Sequence, residues 1–92
     1  MRARRLIENS TYDPKTLRVL FQAFDEAWCE IADHFNNEPK EIEQARLRLA
    51  HAVLIVARED SDDAERLKND ALQVMALAYR HREKVLENGY HN

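Results

Sequence analysis

Glycine, proline and cysteine are scarce in this 92-residue chain, which contains one, two and one of them respectively. Sheet proteins of this size need a turn about every 8–12 residues, and those turns use glycine, proline and asparagine. The shortage therefore predicts an all-α protein. The lone Cys29 cannot form an internal disulfide, so cysteine usage gives no sign of an oxidising compartment.

Long apolar runs are missing as well. None approaches the roughly 18–20 residues needed to span a bilayer. The basic start, residues 1–8, also lacks the apolar stretch of a secretion signal. We therefore expect a cytoplasmic protein without membrane contact. With 45% apolar and 34% charged residues, the composition is typical of one globular domain and not of a disordered chain.

Three amphipathic stretches predict three helices, at about residues 14–36, 38–59 and 63–87, within a single domain at 13–88. Asp13 and Pro14 are typical of an N-cap and a first helical position, and Pro39 falls in the first turn of the second helix. Either Ser61 or Asp63 is suited to cap the third helix.

The two ends of the chain carry no sustained periodicity. Residues 1–12 contain three arginines against one glutamate, so we expect a basic, loosely ordered tail. Residues 89–92 are expected to fray after Gly89, which suits the position just past a helix.

The second predicted helix is apolar on almost every side. From Leu49 to Ala57 the only polar residue is His51. A helix of this kind must be covered nearly all round, and two neighbouring helices of a short chain can hardly do that. The expected fold is a three-helix antiparallel bundle completed by homodimerisation. The candidate oligomer interface consists of apolar side chains left over on the second and third helices: Leu47, Ala50, Leu54, Ala57, Leu72, Ala76 and Tyr79.

Familiar metal and nucleotide motifs are absent from the sequence. No Glu is followed by a His three residues later, and there is no His-Glu-x-x-His, Cys-x-x-Cys or glycine-rich phosphate loop. We therefore expect no cofactor and no metal.

Two weaker features keep an alternative open. The first is a carboxylate–histidine cluster that suits a cation or acid–base work, although such charges are also common on solvated helix faces. Its members are Glu26, Glu30, Asp33 and His34. The second is His51, which is either a buried, pH-sensitive switch at an interface or a histidine satisfied by hydrogen bonding or by solvent.

Charge argues against a nucleic-acid surface, because the net charge is −3 and such surfaces need a basic patch. Only the tail with Arg2, Arg4 and Arg5 is plainly basic. A helix-turn-helix arrangement would present Asp62 and Asp63 at the start of its second helix to DNA phosphates, so this motif is not predicted.

The segments YDPKTLRVL at residues 12–20 and AFDEAW at 23–28 open the first predicted helix. They resemble the opening of small uncharacterised all-helical proteins of alphaproteobacteria. ARLRLA at 45–50 and DAERL at 63–67 are similar to the middle helix and to the start of the last helix in those proteins, except that Ala64 stands where proline is common. The resemblance covers about residues 11–79, and it implies three helices and no activity.

These observations favour a non-enzymatic protein–protein interaction or regulatory module that acts as a homodimer, with room for another, unidentified protein partner. The alternative is a small-ligand-binding or metal-dependent helical bundle. The third interpretation is nucleic-acid contact through the Arg-rich tail.

Overall fold

The computed structural model describes residues 2–35 and 38–91, with side chains described for 2–35 and 38–77. The regular structure in these ranges is helical: α1 spans Arg2–Glu8, α2 Pro14–Ile31, α3 Pro39–Val56 and α4 Ala64–His91, and a 3-10 turn at Ala32–His34 follows α2. The all-α class is confirmed, with four helices where the sequence predicts three. Within the described part, no helix is long and apolar enough to cross a membrane.

Aspartates cap the first turns of α2 and α4. The Asp13 carboxylate accepts a hydrogen bond from the Thr16 backbone N–H at 2.8 Å, as predicted. The Asp63 carboxylate accepts one from the Arg66 N–H at 3.2 Å. Ser61 Oγ instead accepts from the N–H of a residue before it, so Asp63 is the cap of α4.

α3 ends at Val56, before its predicted end near residue 59. The Tyr12 hydroxyl donates to the Ala57 carbonyl at 3.2 Å, and Thr16 Oγ1 donates to the Glu59 carbonyl at 3.1 Å. Ala57 itself is extended, with φ −69° and ψ 146°. Side chains from the start of α2 therefore hold the carbonyls that follow α3, and the chain leaves the helix early.

Two other helices also end at residues that differ from the predicted ones. α2 ends at Ile31, not near residue 36, because its last turn tightens into the 3-10 turn and the backbone is extended at Phe35. α4 continues to His91, past the predicted end near residue 87 and through Gly89. Of the segment expected to fray, 89–92, only Asn92 lies outside the described residues.

The largest difference from the sequence prediction lies at the N-terminus. Residues 1–12 were expected to form a loosely ordered tail, but they contain α1, whose Ala3 and Ile7 are fully buried. α1 packs on both α2 and α3. Ala3, Leu6 and Ile7 have the spacing of one helical face, yet the stretch is too short and too rich in arginine for this periodicity to stand out.

α3 runs opposite to α2 in the bundle. The start of α2 meets the end of α3 through Tyr12 and Ala57, and the end of α2 meets the first half of α3 through Trp28 and Arg46. α4 packs on both helices. The core draws apolar residues from all four helices: Ala3, Ile7, Leu20, Ala23, Phe24, Ala27, Ala45, Leu49, Ala50, Ala52, Val53, Leu67, Ala71 and Met75.

Candidate interaction surface

α1 lies on the bundle as a short amphipathic helix. Its buried face carries Ala3 and Ile7, while Arg4 reaches across to α2. The Arg4 guanidinium donates to both carboxylate oxygens of Asp25, at 2.8 and 3.1 Å, and its central carbon lies 4.7 Å from the centre of the Phe21 ring. Solvent screens this exposed ion pair, so it helps to orient α1 on α2 but adds little to the stability of the fold.

The α3 part of the predicted oligomer interface is covered within the chain. Ala50 is fully buried, and Leu47, Leu54 and Ala57 are partly buried against the core. On a helix of 3.6 residues per turn, Leu47, Ala50 and Leu54 share a side that lies away from Ile55. α4 meets α3 on the Ile55 side. We therefore assign the cover over Leu47, Ala50 and Leu54 to α1, which packs on α3 as well.

The α4 part of the same predicted interface lies elsewhere. Lys68, Leu72 and Ala76 are spaced by four residues, so they share one face of α4. Lys68 Nζ donates to Glu30 of α2 at 3.1 Å, which places that face beside α2. Leu72 is half-buried and Ala76 is exposed, whereas the side chain of Tyr79 lies outside those described. The predicted set is thus divided between two sides of the bundle.

An outer surface on α3 and α4 carries the most exposed large apolar side chains of the described part. Ile55 is 70% exposed and Leu77 is 56% exposed. Ile55 borders an open groove between α3 and α4, together with Val56 and Leu67. Leu77 follows the groove residue Asp70 by two helical turns and so continues the same side of α4. We call this the outer α3–α4 surface.

Charges of both signs surround the apolar part of the outer α3–α4 surface. The groove that contains Ile55 is lined by two arginines and four aspartates: Arg58, Arg66, Asp60, Asp62, Asp63 and Asp70. An apolar centre with a mixed-charge rim is typical of a protein–protein contact, where the rim is polar and accessible to solvent.

The carboxylate–histidine cluster predicted from the sequence is a surface feature. Glu26 and Glu30 are exposed on α2, and Asp33 and His34 are exposed in the 3-10 turn. The hydrogen bond that Lys68 donates to Glu30 raises the pKa of Lys68, against the smaller opposing effect of desolvation. Among the described side chains, no group of three or more histidine, cysteine, aspartate and glutamate residues could hold a metal ion. The geometry therefore gives Glu30 a partner on α4 and brings no ligand set together.

Trp28 packs at the end of the bundle where α2 meets α3. Its ring stacks on Phe35 with 5.8 Å between centroids and 16° between planes, and the Arg46 guanidinium lies 5.0 Å from its centre. Arg46 Nε is buried and makes no hydrogen bond to any described group. Trp28 itself is half-buried against the core, so its ring orders Arg46 through the attraction of a cation to an aromatic face.

His51 and Cys29 both lie at the surface. His51 is exposed on α3 within one chain, so it is not a core histidine, and its role at an interface between copies stays a prediction. Cys29 is a free, exposed thiol on α2. Neither side chain enters the core or takes part in the outer α3–α4 groove.

The α1 contact is the feature that sequence reasoning missed, although the spacing of Ala3, Leu6 and Ile7 carried a signal for it. The basic N-terminal segment also has to be interpreted differently, because Arg4 forms an ion pair with Asp25 of the same chain. Comparisons with protein-family models, with curated proteins and with solved structures find no match to this chain.

Proposed function

We propose that this chain is a non-enzymatic protein–protein interaction module that acts as a homodimer through the outer α3–α4 surface. The exposure of Ile55 and Leu77 on one side of the α3–α4 pair carries the proposal. Moving apolar surface out of water is favourable, and apolar patches rimmed by polar groups mark interaction sites. Association that covers both side chains is therefore favoured.

The charge pattern around the groove supports a second copy of this chain as the partner. In a two-fold symmetric contact each residue meets a counterpart from the same surface. Arg58 and Arg66 lie beside four aspartates in that groove. A rotated second copy can therefore set arginines opposite aspartates, and charge complementarity of this kind fixes register and steers association.

Ile55→Arg tests the proposal by placing a charge at the centre of the outer α3–α4 surface. Gln22→Arg is the matched control, because Gln22 is exposed on α2 and lies outside the groove. In sedimentation equilibrium, Ile55→Arg should raise the dimer Kd about tenfold or more, as expected for a central interface residue. Gln22→Arg should leave the Kd nearly unchanged. Equal effects of the two substitutions would remove this surface from the interface.

A further inference from the structure

We propose that α1 is exchanged between two copies of the chain, so that α1 of one copy docks on the α2–α3 surface of the other. This is a second contact between copies, beyond the outer α3–α4 surface, because it uses a different side of α3. The occupant is defined by the structure: it is the helix Arg2–Glu8 with its buried Ala3 and Ile7.

The first observation is that α1 is held weakly for an ordered element. Seven residues are fixed in place, while two side chains are fully buried, Leu6 is partly buried, and Arg4 contacts Asp25 and Phe21 at the surface. Ordering so short a helix costs conformational entropy comparable to what such limited burial returns. α1 should therefore leave its site far more often than α2, α3 or α4 unfold.

The second observation is the sharp division of hydrogen bonds in the connector between α1 and α2. Asn9 N–H donates to the Arg5 carbonyl, and the Ser10 N–H and hydroxyl both donate to the Ile7 carbonyl. These bonds stay within α1 and its end. Tyr12, in contrast, donates to the Ala57 carbonyl of the bundle. Between them lies the exposed Thr11, so α1 together with Asn9 and Ser10 forms one unit that turns about Thr11.

The third observation concerns the surface that is exposed when α1 leaves its site. It uncovers the apolar side of α3 that carries Leu47, Ala50 and Leu54, and a patch of this kind is poorly tolerated in water. α1 of a second copy restores every contact of the first, including Arg4 with Asp25 and Phe21, because the sequences are identical. Exchange of an identical element is a low-cost route to a dimer.

The direct test uses full-length protein in a mixture of isotope-labelled and unlabelled chains, equilibrated at high concentration. Nuclear Overhauser effects are then recorded that arise only between differently labelled copies. We expect effects between the Ile7 methyl groups and methyl groups of α2 and α3 in the other copy. Contacts between Leu20 and Leu49 are the internal control, because both lie in the part that does not exchange. A sample without inter-copy effects from Ile7 overturns the proposal.

A pair of charge-reversed variants provides a second readout that works at lower concentration. Arg4→Asp and Asp25→Arg each remove the pair between α1 and α2. In a mixture, exchange of α1 restores one native pair and one reversed pair, but only between different copies. In an equimolar mixture the ratio of heterodimer to total homodimer should then exceed its statistical value of one by about threefold, a modest effect because the pair is exposed. A statistical share overturns the exchange.

Ile55→Arg separates this proposal from the proposed function. In the Ile55→Arg background the inter-copy effects from Ile7 should persist, since α1 docks on a different side of α3. Their loss would show that α1 is not the second contact and would overturn the exchange. Dimers of the wild-type chain that lack these effects but are broken by Ile55→Arg would leave the proposed function standing alone.

Discussion

Asp13 illustrates how one side chain fixes the start of an element and makes it sensitive to acid. The hydrogen bond from the Thr16 backbone N–H, followed by the contribution of the Thr16 side chain, lowers the pKa of Asp13 below its ordinary value. The folded state therefore binds this proton less tightly than the unfolded state does. The resulting stability is present above the unfolded-state pKa of about 4 and is lost as pH falls through the lower folded-state pKa.

Asp13→Asn should separate the cap from its titration. The amide oxygen still accepts the Thr16 N–H, since Asn is as good an N-cap as Asp, but the side chain no longer titrates. The free energy of unfolding, measured by urea melts from neutral pH down to about pH 2, should fall less steeply with acid in the variant than in wild type. If the free energy of unfolding of wild type and variant depended on pH in the same way, the titration of Asp13 would not contribute to acid sensitivity.

Trp28 is the second residue whose contacts make a quantitative prediction. Its ring is half-buried, stacked on Phe35 and covered by Arg46. Trp28→Ala should lower the free energy of unfolding by about 2–3 kcal/mol, somewhat less than a fully buried aromatic would cost. Denaturant melts measure it. A change below about half a kilocalorie, the usual range for surface substitutions, would place the indole outside the packed structure and make it a candidate partner anchor.

At the scale of elements, α1 differs from the other helices in how much of the core it contributes. Ile7 and Leu49 are both fully buried, but Ile7 belongs to a seven-residue helix and Leu49 to an eighteen-residue one. When Ile7 is truncated, α1 can leave its site, so the loss is limited by the free energy of docking α1. Truncation of Leu49 leaves a cavity in an element that cannot leave.

Ile7→Ala should therefore cost less than Leu49→Ala, at about 1–2 kcal/mol against about 2–5 kcal/mol. Urea melts of the two variants and wild type provide the comparison. Glu8→Ala, an exposed change on the same helix, should stay close to wild type. An Ile7→Ala cost equal to or above that of Leu49→Ala would contradict the view of α1 as a weakly held element.

The elements also show which parts of the fold the sequence could predict. α2, α3 and α4 have long apolar stripes and recognisable starts at Asp13, Pro39 and Asp63, and all three appear close to their predicted positions. The ends were predicted less well. Tyr12 and Thr16 donate hydrogen bonds to backbone carbonyls that follow α3. A local sequence pattern does not contain such long-range contacts, so the end of α3 could not be predicted from it.

α1 could not be predicted with the periodicity of the longer helices, because seven residues cover only two turns. Because α1 was not predicted, its contact with α3 was also missed, and this affected the choice of the candidate oligomer interface. The apolar stripe with Leu47, Ala50 and Leu54 required a cover, and the sequence assigned that cover to a second copy. The structure packs α1 on α3, so part of the required cover comes from within the chain.

At the scale of the whole molecule, the dimer that we propose uses different residues from those predicted from the sequence. Ala50 is fully buried, and Leu47 and Leu54 are partly covered. Ile55, which is not among the candidate interface residues predicted from the sequence, is the most exposed large apolar side chain of the described part. Association through Ile55, Leu77 and the charged rim of their groove is the central claim of this account.

The average molar mass in solution, measured by sedimentation equilibrium over about 10 µM to 1 mM, tests that claim most directly, since this range spans weak and moderate dimer affinities. The mass should rise with concentration from that of one chain, 10.9 kDa, to at least twice that value. A mass that stays at 10.9 kDa across the whole range would contradict self-association and, with it, the proposed function.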